Sequence, residues 1–245
     1  MKIRIKFAKR GPVKYVGHLD MLRYFQKLVR RAGIDICYSE GFNPHQKMSF
    51  AAPLGVGMPG EGEYVDIEVH TTMPSAQAVE ALNDASVEGI EIKSYRRLPE
   101  GTQNAMSSVA AADYFVKYRD GCEPDFDLHE KFQQFLSNER IEIEKETKKS
   151  TAIVNIRPMI YDYQFCCDTE FLSLAENKNG IFLKLAAGSV NNLKPELVFQ
   201  AFYNFLETDM PEFAFDVTRV EVYGNAGTEE APKYIPLEEF GENIL

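Results

Sequence analysis

Cysteine is scarce and poorly spaced for chemistry. The 245-residue chain holds four, Cys37, Cys122, Cys166 and Cys167, and no CxxC pair. That pattern excludes a disulfide-stapled secreted scaffold and a cysteine-based zinc site, and points to a reduced, cytoplasmic protein. Long apolar runs are missing too. None approaches the ~20 residues that a membrane helix needs, so no membrane partner is expected. The glycines of residues 55–60, Gly-Val-Gly-Met-Pro-Gly, fit neither a GxGxxG fingerprint nor a P-loop. Positive charge is in deficit. Lys and Arg number 27 against 37 Asp and Glu, for a net charge of −10, which disfavours a generally adhesive nucleic-acid binder. What remains is ordinary for a globular protein: 44% hydrophobic and 12% aromatic residues, in a length that suits one large or two ordinary domains.

Periodicity supplies the fold class. Ile3, Ile5 and Phe7 alternate with Lys2, Arg4 and Lys6, which predicts a half-buried strand and not a signal peptide. Leu22, Phe25, Val29 and Ala32 recur at helical spacing, which predicts a helix over residues 18–32 that Gly33 stops. Strands are expected at residues 34–38 and 64–69 and an extended stretch at 47–52. A helix opens at Pro74, and a strand follows at 90–95. The order βαββαβ is that of a ferredoxin-like domain. A similar order follows, from a strand at 114–118 and a helix at 128–136 to strands at 141–145 and 152–156. A hairpin is expected from residues 171–176 and 181–187 around Asn177-Lys178-Asn179-Gly180, then a helix at 195–206 and a strand at 217–223. The expectation is therefore an α+β chain of two tandem ferredoxin-like (βαββαβ) domains, the second with an insertion around residues 145–170. Residues 1–97 form the first and 109–224 the second. Residues 98–108 are a linker, and 225–245 are an acidic, loop-like tail.

Charge is distributed unevenly. The first 50 residues hold eleven Lys and Arg and three acids, a net of +8, which leaves −18 for the other 195. Arg23, Lys27, Arg30 and Arg31 share the polar side of the first helix. Such a patch is a footprint for an anionic partner such as RNA or a phosphorylated cofactor. The plainer alternative is that these cations solvate a face or neutralise the acidic remainder. The densest motif is Gly41-Phe42-Asn43-Pro44-His45-Gln46-Lys47. Its Gly and Pro shape a bent loop on which Phe42, Asn43, His45 and Lys47 offer an aromatic face, an amide, an imidazole and a cation, a set that suits a nucleobase or another planar polar ligand. Arg157 before Pro158 and Lys194 before Pro195 are further cations beside prolines, the second at an anion-friendly helix start.

Two chemical readings compete with simple binding. His18, Asp20 and His45 suffice for a two-His, one-carboxylate metal site. His18 and His45 also suit proton transfer in a metal-independent endoribonuclease, with Lys14 or Arg23 beside the developing charge. Capping by Gly17 and the helix dipole account for Asp20 without any function. Cys166-Cys167 reads as a packed pair of small apolar residues.

Several motifs occur together and in order: Lys6-Phe7, Gly17-His18-Leu19-Asp20-Met21-Leu22-Arg23, Arg30-Arg31-Ala32-Gly33-Ile34, Tyr38-Ser39-Glu40-Gly41-Phe42-Asn43-Pro44-His45 and Pro53-Leu54-Gly55-Val56-Gly57. In this series the chain resembles the bacterial radical SAM-linked (radical SAM-associated) protein family, a domain of unknown function. The match is strong over residues 1–70 and weaker beyond, chiefly at Ile156-Arg157-Pro158 and Lys194-Pro195-Glu196. The family often has Ser where Gly17 stands, and Pro then Arg where Gln46 and Lys47 stand. Lys cannot make Arg's bidentate phosphate contact. The chain has no CxxxCxxC triad for an iron–sulfur cluster. The resemblance therefore implies a non-catalytic accessory or substrate-presenting partner of a cobalamin-type radical SAM enzyme on a separate chain, with no cofactor of its own. Its binding residues would be His18, Asp20, Arg23, Lys27, Arg30, Arg31, Ser39, Phe42, Asn43, His45, Lys47, Arg157 and Lys194, and RNA (tRNA or rRNA) its expected ligand.

Overall fold

The computed structural model describes residues 1–146, 151–165 and 180–245. The chain is α+β, with a large, mostly antiparallel sheet and few helices. It falls into two units, one of Met1–Ala111 with Arg219–Leu245, the other of Ala112–Thr218.

In the first unit the elements run β1 (Lys2–Lys9), α1 (His18–Arg31), β2 (Met48–Phe50), β3 (Gly60–Glu68), α2 (Ser75–Asp84), β4 (Ile90–Arg97) and the short α3 (Ala105–Ser108). β1 lies between β4 and β3, and β2 pairs the far side of β3; all of these pairs are antiparallel. Ile3, Ile5 and Phe7 point to one face, and α1 covers it with Met21, Phe25, Leu28 and Val29. Leu22 and Ala32, expected in that stripe, are only partly buried. Residues 34–38 do not form the expected strand. They make two isolated bridges, Ile36 to Val69 and Tyr38 to Gln46. The Ile36 amide donates to the Ile34 carbonyl at 2.9 Å, a tight turn that removes a donor a ladder would need.

The other face of β1 is not open to water. Arg4 is fully buried and Lys6 half-buried. Residues 103–108 and the returning end of the chain cover them. That end comprises Arg219–Asn225 of β10 (Phe215–Asn225), β11 (Tyr234–Pro236) on β10, and a 3-10 turn at Leu237–Phe240. Residues 98–108, expected as a linker, thus carry α3 and the buried Leu98 and Ala105. Residues 225–245, expected as a loop-like tail, contain β11 and the fully buried Leu237.

The second unit holds most of β5 (Val109–Tyr118), then α4 (Leu128–Leu136), β6 (Glu142–Glu146), β7 (Thr151–Asn155), β8 (Ile160–Phe165), β9 (Gly180–Ala186), α5 (Pro195–Phe205) and the start of β10. Its strand order is β10-β5-β9-β8, and β6 and β7 pair with each other as a separate two-stranded sheet. The strands expected near 141–145 and 152–156 are this separate hairpin, and β8 takes the sheet position instead. Phe132, Phe135, Phe199 and Phe202 pack α4 against α5, with ring centroids of Phe132 and Phe202 at 5.1 Å. The strand expected at 171–176, its Asn-Gly turn through residue 179, Cys166 and Cys167 lie outside the described residues. No helix among the described residues is long and apolar enough to cross a membrane.

Candidate functional site

α1 starts at Gly17, whose extended backbone (φ −71°, ψ 166°) places its carbonyl to accept the Met21 amide at 2.9 Å. Asp20 lies in the first turn, where the helix dipole favours an acid, and Arg23 donates to it at 3.1 Å. Both are well exposed, so this pair is of the kind that contributes little to stability. Arg31 donates to the Ala85 carbonyl at 3.0 Å and lies over the Tyr24 ring. Lys27 and Arg30 are exposed and make no ion pair among the described residues.

The segment after α1 folds back on itself. Lys47 donates its amide to Cys37, and Cys37 donates to Glu68 at the end of β3. Ser39 and His45 close the loop between them with three bonds. The Ser39 amide donates to the His45 carbonyl at 2.8 Å, the His45 amide donates to Ser39 Oγ at 3.0 Å, and Oγ meets His45 Nδ1 at 2.9 Å. Gly41 sits at φ +109°, a conformation that favours glycine. Buried Gln46 fastens the base of the loop to the helix, donating Nε2 to the Gln26 carbonyl at 3.1 Å. Glu40, Asn43 and Pro44 are exposed, and Phe42 at the tip is wholly exposed, at 111%. Lys47 pairs with Glu68 at 2.8 Å, an arrangement that raises the lysine's pKa and lowers the carboxyl's. Ser39→Ala removes two of the three closing bonds. It is expected to cost about 1 kcal/mol or less and to speed hydrogen exchange at the His45 amide, read by exchange mass spectrometry.

His18 has different neighbours from His45. Its ring meets Phe50 edge-on at 5.4 Å, and it lines a cavity of about 20 Å³ with Lys9, Met21, Phe50, Pro53 and Glu63, room for about one water. His45 does not line that cavity. Among the described residues no three His, Cys, Asp or Glu side chains gather as metal ligands, so His18, Asp20 and His45 do not form one cluster. Lys9 is buried and donates to the Val16 carbonyl at 2.7 Å. Burial lowers its pKa against the attraction of Glu63, and Arg219 adds to the lowering. Arg219 in turn grips Glu63 with two nitrogens.

Nearly half of the N-terminal cations are ion-paired inside the first unit. Arg4 donates Nε and Nη2 to the two oxygens of Asp66 at 2.8 and 2.9 Å, and Nη1 to the Leu237 carbonyl. Lys6 reaches Glu221 at 2.6 Å and Glu238 at 2.7 Å, and Tyr64 donates to Glu221 at 2.6 Å. Burial opposes the Lys6 charge, but Glu221 and Glu238 outweigh it and raise its pKa; burial also pushes Glu221 up. Arg10 binds Glu61 and Glu91. Five of the eleven cations, Arg4, Lys6, Arg10, Arg23 and Lys47, are therefore ion-paired, four of them with acids beyond residue 50. The expected +8 footprint shrinks to a smaller set on α1 and its flanks. Alternation placed Arg4 and Lys6 on a polar face, and no local signal in the sequence marks that face as covered.

In the second unit Arg157 directs its guanidinium to backbone. Nε donates to the Leu136 carbonyl at 3.0 Å and Nη1 to Ile160 at 3.3 Å, so this expected ligand-binding residue ties α4 to β8. Lys194 is exposed at the N-cap of α5 and makes no side-chain cap. The structure thus joins Ser39, Phe42, Asn43 and His45 in one fastened loop whose base is tied to the helix bearing Arg23, Lys27 and Arg30. A comparison with curated proteins finds no match. Residues 2–195 match the model of a family described as uncharacterized protein conserved in bacteria (DUF2344), and the chain belongs to that family.

Proposed function

We propose that the protein is a non-catalytic accessory protein that binds RNA, tRNA or rRNA, through its first unit and serves a cobalamin-type radical SAM enzyme on a separate chain. The observation that carries the RNA reading is the exposed face of α1, where Lys27 and Arg30 make no ion pair among the described residues, beside a loop fastened to Gln26. The radical SAM partnership rests on the motif series of residues 6–57. The reading includes two ferredoxin-like domains. The first-unit order β4-β1-β3-β2 and the second-unit order β10-β5-β9-β8 support it, with the β6–β7 hairpin as the insertion. No observation favours the endoribonuclease reading, since His18 and His45 are held by separate neighbours.

A gel-shift titration on bulk tRNA and rRNA tests the proposal. Lys27→Glu/Arg30→Glu is expected to weaken binding roughly tenfold or more at low salt, with the fold unchanged by circular dichroism. Unchanged binding removes α1 from the account. A pull-down with the purified radical SAM enzyme encoded in the same genome tests the partnership separately.

A further inference from the structure

The loop tip offers a specific ligand chemistry. Phe42 leaves its whole ring in water, at a cost that an apolar side chain normally avoids by tucking against its neighbours. Here the loop cannot easily fold the ring away. Ser39 and His45 close it, Gly41 and Pro44 shape it, and Gln46 ties its base to the middle of α1. Lys27 follows Gln26 directly, and Arg23 and Arg30 lie about one turn to either side, so the helix that anchors the loop carries cations. The cations are few, because Arg4, Lys6, Arg10 and Lys47 are ion-paired elsewhere. A duplex is gripped by many phosphate contacts and hides its base faces. A single strand needs few contacts and exposes them.

We infer that Phe42 is a stacking platform for one unpaired nucleobase of single-stranded RNA, with Lys27 and Arg30 on the adjoining phosphates. The inference rests on the RNA reading above and adds to it strand state, contact residue and contact number. Asn43 follows Phe42 in the chain and is exposed.

The test uses the full chain and a labelled 12-nucleotide RNA of mixed sequence, single-stranded or annealed to its complement, read by fluorescence anisotropy. A 2-aminopurine version reports stacking. The single strand is expected to bind more tightly than the duplex. Phe42→Ala is expected to weaken it roughly 5- to 150-fold and to abolish the 2-aminopurine quenching, whereas Phe42→Tyr keeps both. Two phosphate contacts predict a log–log salt slope of about −1.4 for the single strand. Phe42 is exposed, so the substitutions leave the fold intact, which thermal melting verifies. If Phe42→Ala binds the single strand like the parent protein, or the duplex binds equally well, the stacking inference is wrong and the RNA reading stands. If neither RNA binds, the RNA reading fails and the inference with it.

Discussion

Arg4→Met is expected to lower the stability of the first unit by about 3–5 kcal/mol, read as a fall in the urea midpoint at an unchanged m-value. Arg4 is wholly buried and makes charge-assisted bonds to both oxygens of Asp66, as well as bonds to the carbonyls of Leu237 and Gln103. Removing the guanidinium leaves the Asp66 carboxylate with the Ala105 amide, at 2.7 Å, as its remaining bond and no counter-charge among these contacts. Water cannot readily replace the lost partner, so the desolvation penalty of the carboxylate is felt in full. The double variant Arg4→Met/Asp66→Leu is expected to recover much of the loss, because an ion pair replaced on both sides by apolar groups leaves no stranded charge. A loss under about 1 kcal/mol for Arg4→Met alone would show that the pair does not hold this face together.

That pair also marks where reading the chain stops working. Helices α1 and α4 and strands β1, β3 and β4 are legible because their periodicity is local: 3.6 for a helix that buries one stripe, 2 for a strand that buries one face. α4 spans Leu128–Leu136, the residues expected as a helix. The polar face of β1 obeys the same alternation, yet its burial depends on residues 103–108 and 237–240, about a hundred and more than two hundred positions away in sequence. Counting charges meets the same obstacle. Eleven cations in fifty residues look like a surface patch until Glu61, Glu221 and Glu238 are brought to them by the fold. The bent loop at residues 41–47 is legible from its Gly and Pro content. Its fastening to α1 through Gln46 is not, because a Gln side chain carries no positional pattern. Strand β8, Ile-Tyr-Asp-Tyr-Gln-Phe, does carry one, with Tyr163 and Phe165 half-buried and Asp162 and Gln164 exposed. That signal is short and falls in the stretch expected as an insertion.

Deleting residues 234–245 is expected to be more damaging than any single substitution in the candidate site. Those twelve residues supply β11 on β10, the Leu237 side chain in the core and the Glu238 carboxylate on Lys6. They also supply paired backbone bonds between Glu242 and Arg97, each at 2.9 Å, and at the start of α2 the Ile244 carbonyl accepts from the Ser75 amide while the Ile244 amide donates to Ser75 Oγ. Leu237→Ala alone is expected to cost about 2–5 kcal/mol, the range for emptying a fully buried leucine site. The deletion adds to that an uncovered Arg4 and a Lys6 with half its counter-charge. Since domains are stable by only about 5–15 kcal/mol, the truncated chain is expected to lose its cooperative thermal transition or to accumulate as insoluble protein. Gly224→Ala reaches the same contact without shortening the chain. A Cβ there would lie 2.6 Å from a Phe240 ring carbon and would push the 3-10 turn off β10. A truncated chain that melts within a few degrees of the intact protein would show that this segment rests on the first unit without stabilising it; parallel losses in the deletion, Leu237→Ala and Gly224→Ala place it within the folding unit.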